Sequence, residues 1–246
     1  MNFKEIEEAY CRTFPVNEVK IHDWILRTSD SEVRRENSVQ VYDMGNFNLE
    51  SQVDECEKLF DELGKLPLFR LFSPIDNSAL ISILQTRGYT LPDSSHVMVA
   101  NLQSAAPDLK PAQEGVQFRL NSLDIWVGAY CRISGKTEQQ GAKMQKAFEF
   151  AESSSCYGTV INQDVPVSIG MIATSNELCG IFNVFTSPEH RGGGHASYLL
   201  RSLLSEAKSK GSNTAYLQVS QDNLAALKVY RKIGFEMAYD YSYWVK

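Results

Sequence analysis

A chain of 246 residues, 43% hydrophobic and 22% charged, is long enough for one large domain or two small ones, each with a full core. No window holds about 18 consecutive apolar residues, so neither a membrane span nor a membrane partner is expected. The net charge of −6 is uneven: residues 1–110 carry 11 basic and 18 acidic side chains, whereas from Arg191 onward eight basic face four acidic. A basic end confined to the last quarter suits a polyanionic cofactor better than nucleic acid, for which the whole domain is usually basic.

The N-terminus, Met1 to Glu8, is acidic and lacks the apolar core of a signal peptide. Cys11, Cys56, Cys131, Cys156 and Cys179 are scattered, odd in number and never in a CxxC pair, so they read as free thiols in a reducing, cytoplasmic setting. In the first half, Trp24, Val39–Tyr42, Leu68–Phe72 and Val97–Ala100 look like strands. Val53–Leu63 and Ser78–Thr86 look helical. Two prolines among small residues at 104–111 read as a linker, which divides the chain into domains 1–106 and 112–246.

Beyond the linker, Val116–Leu120 alternates as a strand, and helical patterns follow at Leu123–Ile133 and Gln139–Glu152. Three strand-like runs, Cys156–Ile161, Val165–Ala173 and Leu178–Phe185, are joined by polar turns. After a glycine-rich turn, Ala196, Leu199, Leu200, Leu203, Leu204 and Ala207 mark a helix that Gly211 stops. Ala215–Val219 is a strand, Asn223–Ile233 a helix ended by Gly234, and Phe235–Val245 a closing strand. The mixture predicts an α+β fold with a mostly antiparallel central sheet in the C-terminal half, and a smaller α/β N-terminal domain. Leu80–Tyr89 and Leu227–Phe235 share one pattern, a short helix, then glycine, then an aromatic opening a strand; chance and duplication both explain it.

The turn Gly192-Gly193-Gly194 sits between an apolar strand and a helix, where free amides and the helix dipole favour an anion such as a phosphate. A P-loop is excluded because no Lys-Ser/Thr follows Gly194. A dinucleotide fold is excluded because only 24 residues follow Asp222, too few to complete its sheet. His190 and His195 flank the turn without further ligands, so no metal is expected.

Arg191-Gly192-Gly193-Gly194-His195-Ala196 matches the Arg-x-x-Gly-x-Ala loop of acetyl-coenzyme A enzymes. Asn223-Leu224-Ala225-Ala226-Leu227-Lys228-Val229-Tyr230-Arg231-Lys232-Ile233-Gly234-Phe235 is similar to a second motif, Asn-x-x-Ala-x-x-x-Tyr-x-x-x-Gly-Phe. In these two motifs residues 116–246 resemble the GCN5-related N-acetyltransferase (GNAT) superfamily. The first half resembles the degenerate N-terminal domain of its tandem members, without a CoA loop. The resemblance implies acetyl-CoA as cosubstrate, with the backbone of Val184, Phe185 and Thr186 pairing with the pantetheine arm. Arg191 and the amides of Gly192, Gly193, Gly194, His195, Ala196 and Ser197 would hold the pyrophosphate, with the His195 ring turned outward. Asn223 would contact the pantetheine or nearby backbone, and Tyr230 would protonate the leaving thiolate, although a packing role explains Tyr230 too. Glu177 and Glu189 are the nearest carboxylates for a general base, and both also read as solvated surface charge. On the last strand Asp240 could attract a cationic amine, as the acidic first half also suggests.

The implied activity is N-acetylation of a small-molecule or peptide amine by direct transfer, with a homodimer as a further expected partner. The alternative is a catalytically silent CoA-binding or scaffold protein on the same fold.

Overall fold

A computed structural model describes residues 2–103 and 114–246; the predicted linker at 104–111 lies outside them. Helices start where a polar side chain can take an otherwise unpaired amide. Asn2 caps α1 (Phe3–Thr13), accepting from the Lys4 amide, and Ile6, Ala9 and Tyr10 form its buried stripe. Asn48 caps α2 (Leu49–Glu62) in the same way, through the Ser51 amide. Strands β1 (Asn17–Ile21), β2 (Trp24–Thr28), β3 (Ser38–Val41), β4 (Leu68–Phe72) and β5 (Thr90–Asn101), with α3 (Ser78–Thr86), complete the first half.

The second half runs β6 (Val116–Asn121), α4 (Leu123–Ser134), α5 (Glu138–Phe148), β7 (Ser155–Asn162), β8 (Val165–Ser175), β9 (Leu178–Thr186), α6 (His195–Ser209), β10 (Thr214–Ser220), α7 (Leu224–Ile233) and β11 (Glu236–Val245). The helix expected through Glu152 leaves α-geometry at Phe148 and tightens into a 3₁₀ segment to Ser154. There the hydroxyls of Ser154 and Ser155 both donate to the Ala151 carbonyl and compete with the helical ladder.

All the strands join one sheet in the order β1-β2-β3-β4-β11-β5-β10-β9-β8-β7-β6. The pairing is antiparallel except at β3/β4 and β9/β10. Those parallel pairs belong to two like sequences of elements, β3-α2-β4-α3-β5 and β9-α6-β10-α7-β11. Each ends in a strand that enters the other: β5 lies between β10 and β11, and β11 lies between β4 and β5. The helix ends match as well. Gly88 and Gly234 both take positive φ, and Tyr89 donates to Leu84 as Phe235 donates to Tyr230. This six-residue closing bond after a left-handed glycine ends both helices and launches both exchanged strands.

The exchange is held by a buried polar knot. Glu7 on α1 and Arg70 on β4, each 1% exposed, form a two-point ion pair at 2.5 and 3.0 Å. Tyr239 on β11 donates its hydroxyl to Glu7 at 2.7 Å. Gln40 on β3 takes a further Arg70 hydrogen bond, and the guanidinium lies 3.8 Å from the centre of the Tyr241 ring. Buried charges persist only when paired and hydrogen-bonded in this manner.

Candidate active site

The β9–β10 ladder stops at Leu217↔Ile181. Past that pair, β9 continues to bond β8 on one side, while β10 continues along β5 on the other. The backbone of 182–186 therefore has an edge without a strand partner. A bulge produces the divergence: Phe182 pairs Met171 and Phe185 pairs Ile169, so Asn183 and Val184 together oppose Gly170. Asn183 adopts φ of 52°, a left-handed conformation that asparagine tolerates better than most residues. Trp126 on α4 supports the neighbouring strands, donating its indole N–H to the carbonyls of Gly158 and Gly170. Neither residue was singled out from sequence; the one available signal was a polar Asn183 inside an apolar strand.

From this edge the chain enters the glycine turn. Arg191 donates back to the Thr186 carbonyl at 3.3 Å and lies over the Phe185 ring, which ties the turn to the strand. Gly192 and Gly194 have φ of 80° and 79°, and Gly194 opens α6 without a side-chain cap. The first amide to re-enter the helical ladder is Tyr198, donating to Gly194. Among the described residues the amides from Gly192 to Ser197 have no acceptor. Consecutive free amides at a helix start form a concentrated anion site.

Asn223 sits at the start of α7, exposed, with its carboxamide oxygen taken by the Ala226 amide. Tyr230 lies two turns on, 8% exposed, with its ring against Phe235. Its hydroxyl has no hydrogen-bond partner among the described residues. Burial pushes its pKa up to about 12. At neutral pH it is a phenol able to donate.

The first half repeats these elements but not this chemistry. Between β3 and α2, Gly45 lies against the Asp23 carboxylate, Asp43 accepts the Gly45 amide, and Asn48 caps the helix. The Gly45 and Ser51 amides there are taken by side chains, and the carboxylates of Asp23 and Asp43 make the turn acidic. The matched helix end places Leu84 where α7 has Tyr230.

The acetyltransferase (GNAT) family model matches residues 123–235. Residues 123–235 form a GNAT-family acetyltransferase domain. Over its whole length the chain is 25% identical to YobR, an uncharacterized N-acetyltransferase of Bacillus subtilis (strain 168), covering 100% of this chain and 99% of that protein. Its fold is shared with a GCN5-related N-acetyltransferase from Kribbella flavida at TM-score 0.77, with 16% identity and 98% and 94% of the two chains covered. A tandem GNAT protein from the clavulanic acid biosynthesis pathway superposes at TM-score 0.67, with 10% identity over 85% and 74% of the chains. This matched segment is the acyltransferase part of the chain, and enzymes of the family use acetyl-CoA.

On the sheet face opposite α6 and α7, the GNAT domain is walled by the first half. Tyr10 of α1 and Phe14, which caps its C-terminal end, pack on Phe182 of β9, with ring centres 6.1 and 5.0 Å apart. Two sequence expectations need correcting. His195 does not point outward: its ring is 5% exposed and meets His190, and burial with that neighbour holds its pKa below the usual histidine range. Asp240 does not face the aromatic row of β11. Alternation turns it to the other side, where it bonds His96 at 2.5 Å, while Tyr239, Tyr241 and Tyr243 share the inner face. Glu177 lies in the turn at the far end of β9, its carbonyl taking the amides of Asn213 and Thr214. Glu189 is exposed and held ionised by the Ser187 hydroxyl.

The buried tyrosines give the GNAT domain and its wall an alkaline limit. Burial pushes Tyr10 and Tyr230 up to about 12, and raises Tyr42, Tyr89, Tyr216, Tyr239 and Tyr243 above the usual tyrosine range as well. In the unfolded chain these phenols ionise near ~10. Their folded values are raised, so their contribution to stability is complete below pH ~10 and is lost as pH rises toward and through the folded values. The melting temperature is expected to fall steeply above pH ~10, with tyrosinate absorbance at 295 nm rising together with unfolding. Tyrosinate appearing gradually in folded protein near pH ~10 would show that these rings are solvated.

Proposed function

We propose that the chain transfers an acetyl group from acetyl-CoA directly to an amine of a small-molecule or peptide acceptor. The observation that carries this reading is the run of free amides from Gly192 to Ser197 beside the unpartnered edge of β9. The amides suit a pyrophosphate, and the edge suits the amide-bearing arm that follows it in CoA. Val184, Phe185 and Thr186 would bond that arm through their backbone, Arg191 and the turn would hold the phosphates, and Asn223 would border the arm near α7. In this reading residues 1–106 are a GNAT-like domain that has lost its donor site and walls the acceptor side, while 112–246 carries the chemistry.

The amine nitrogen attacks the thioester carbon, the C–S bond breaks, and the amine's proton passes to solvent. An amide at Thr186 or its neighbour would donate to the oxyanion. Tyr230, raised to about 12, is too weak an acid to protonate outright a thiolate whose thiol has an ordinary pKa near ~8.5. It serves by donating a hydrogen bond to sulfur as charge develops there. Tyr230→Phe is expected to lower kcat about 10- to 100-fold while acetyl-CoA affinity changes less than about twofold. The wild-type rate should show no alkaline limb from Tyr230 below pH ~10. Thiol release across an amine panel measures both. An unchanged rate in Tyr230→Phe would leave that residue a packing role, and tight acetyl-CoA binding with no turnover on any amine would favour a silent binding protein.

A further inference from the structure

The gap between β9 and β10 opens on the inner sheet face at Phe182 and Gln218, the first residues past the last β9–β10 pair. Gln218 accepts a hydrogen bond from the Arg35 guanidinium, which also lies 4.7 Å over the Tyr10 ring. Tyr10 in turn packs on Phe182, so Arg35 stands at the mouth of the gap. Five other arginines of the first half face carboxylates: Arg12 with Glu8, Arg27 with Glu18, Arg34 with Asp93, Arg70 with Glu7, and Arg87 with Asp54 and Glu57. Arg35 is half-buried and has no carboxylate partner among the described residues. Its neighbour Glu36 is taken by the hydroxyls of Ser29 and Ser31, and Asp240 is turned away to His96.

Among the described residues, the groups around Arg35 hold unused donors and bring no carboxylate. The Gln218 amide nitrogen is buried and unpartnered. On the same face of β10, the Tyr216 hydroxyl is also unpartnered in a side chain 0% exposed. The hydroxyls of Tyr10, Tyr241 and Tyr243 have no hydrogen-bond partner among the described residues either. A half-buried guanidinium among unused donors is compensated best by an anion. Gln218 and the Tyr10 ring occupy one N–H and one face, which leaves a planar edge that fits a carboxylate at two points.

We propose that the acceptor amine carries a carboxylate, received by Arg35. This rests on acetyl transfer as proposed above and names its acceptor class. It reverses the expectation of a cationic acceptor, because the first half's acidic side chains nearest the gap are already engaged elsewhere.

The test uses the intact protein, saturating acetyl-CoA and thiol release on matched amino acids, their carboxamides and aliphatic diamines. The carboxylate member of the best-used pair should be favoured at least about 30-fold in kcat/KM, as befits a charge-assisted contact. Arg35→Gln should bring that ratio to within about threefold, chiefly through KM, and Arg35→Lys should fall between. Acetyl-CoA affinity and the near-UV circular dichroism of both variants should match wild type, which separates lost recognition from lost fold. Carboxamides or diamines used as well as the acids would overturn the proposal, as would an undiminished ratio in Arg35→Gln. Should acetyl-CoA bind with no amine turned over, calorimetry of the same amino acids on CoA-loaded protein decides: heat lost in Arg35→Gln supports the proposal and no heat overturns it. Failure of acetyl-CoA itself to bind would overturn the transfer reading, and this proposal with it.

Discussion

Gly194→Asp is expected to weaken acetyl-CoA binding at least about 100-fold while leaving the protein folded. Two effects act at that position. Gly194 opens α6 at φ of 79°, where an L side chain costs roughly 1–2 kcal/mol. An aspartate there also sets a negative charge among the amides proposed to receive the pyrophosphate, and like charges within a few ångströms cost more than the backbone strain. Gly194→Asn separates the two, because asparagine tolerates left-handed backbone and carries no charge. It should lose no more than about tenfold. Calorimetric titration of acetyl-CoA into both variants checks the order, and equal losses would mean that shape alone governs the turn.

Arg70→Met should cost about 3–5 kcal/mol of stability, the loss that follows when one member of a buried pair is left uncompensated. Glu7 would keep the Tyr239 hydroxyl but lose both bonds to the guanidinium. The damage falls where α1, β3, β4 and the exchanged strand β11 meet. Replacing both charges, Glu7→Leu with Arg70→Met, should recover a substantial part of the loss, since an apolar pair avoids the desolvation of two ions. Urea unfolding followed by fluorescence measures each variant. If the double variant proves less stable than Arg70→Met alone, the remaining carboxylate is not the source of the penalty. Tyr10 lies one turn beyond Glu7, so the single variant should also loosen the wall over Phe182 and raise KM for the acceptor.

Much of the second half was legible because its elements follow strong local rules. The stripe from Ala196 to Ala207, the cap at Asn223 and the stop at Gly234 are each set by a few adjacent residues. The glycine turn was legible for the same reason, since its free amides follow from local geometry. Three features were not. Helix α1 passed unread among acidic residues, although Ile6, Ala9 and Tyr10 carry its stripe. The exchange of β5 and β11 depends on pairings between strands more than a hundred residues apart, and no local pattern specifies which neighbour a strand chooses. The resemblance implied a His195 ring turned outward near the phosphates, yet it packs against His190 and is nearly enclosed.

The shared pattern at Gly88-Tyr89 and Gly234-Phe235 left chance and duplication open. In the structure the likeness extends to equivalent helix closures, equivalent parallel pairs and a reciprocal strand insertion. That symmetry also shows what the first half lacks, with Asp23 and Asp43 at its turn and Leu84 in place of Tyr230. The acceptor side was least legible of all. Arg35, Tyr10, Gln218 and Tyr243 come from four separate elements and meet only in the folded chain.

The most direct measurement of the central claim is calorimetric titration of acetyl-CoA into the intact wild-type protein at moderate salt. The account predicts one site per chain with a dissociation constant of about 1 to 100 μM, or −8 to −5 kcal/mol, competed by CoA and lost in Gly194→Asp. Absence of binding at millimolar acetyl-CoA, or two equivalent sites per chain, would contradict it.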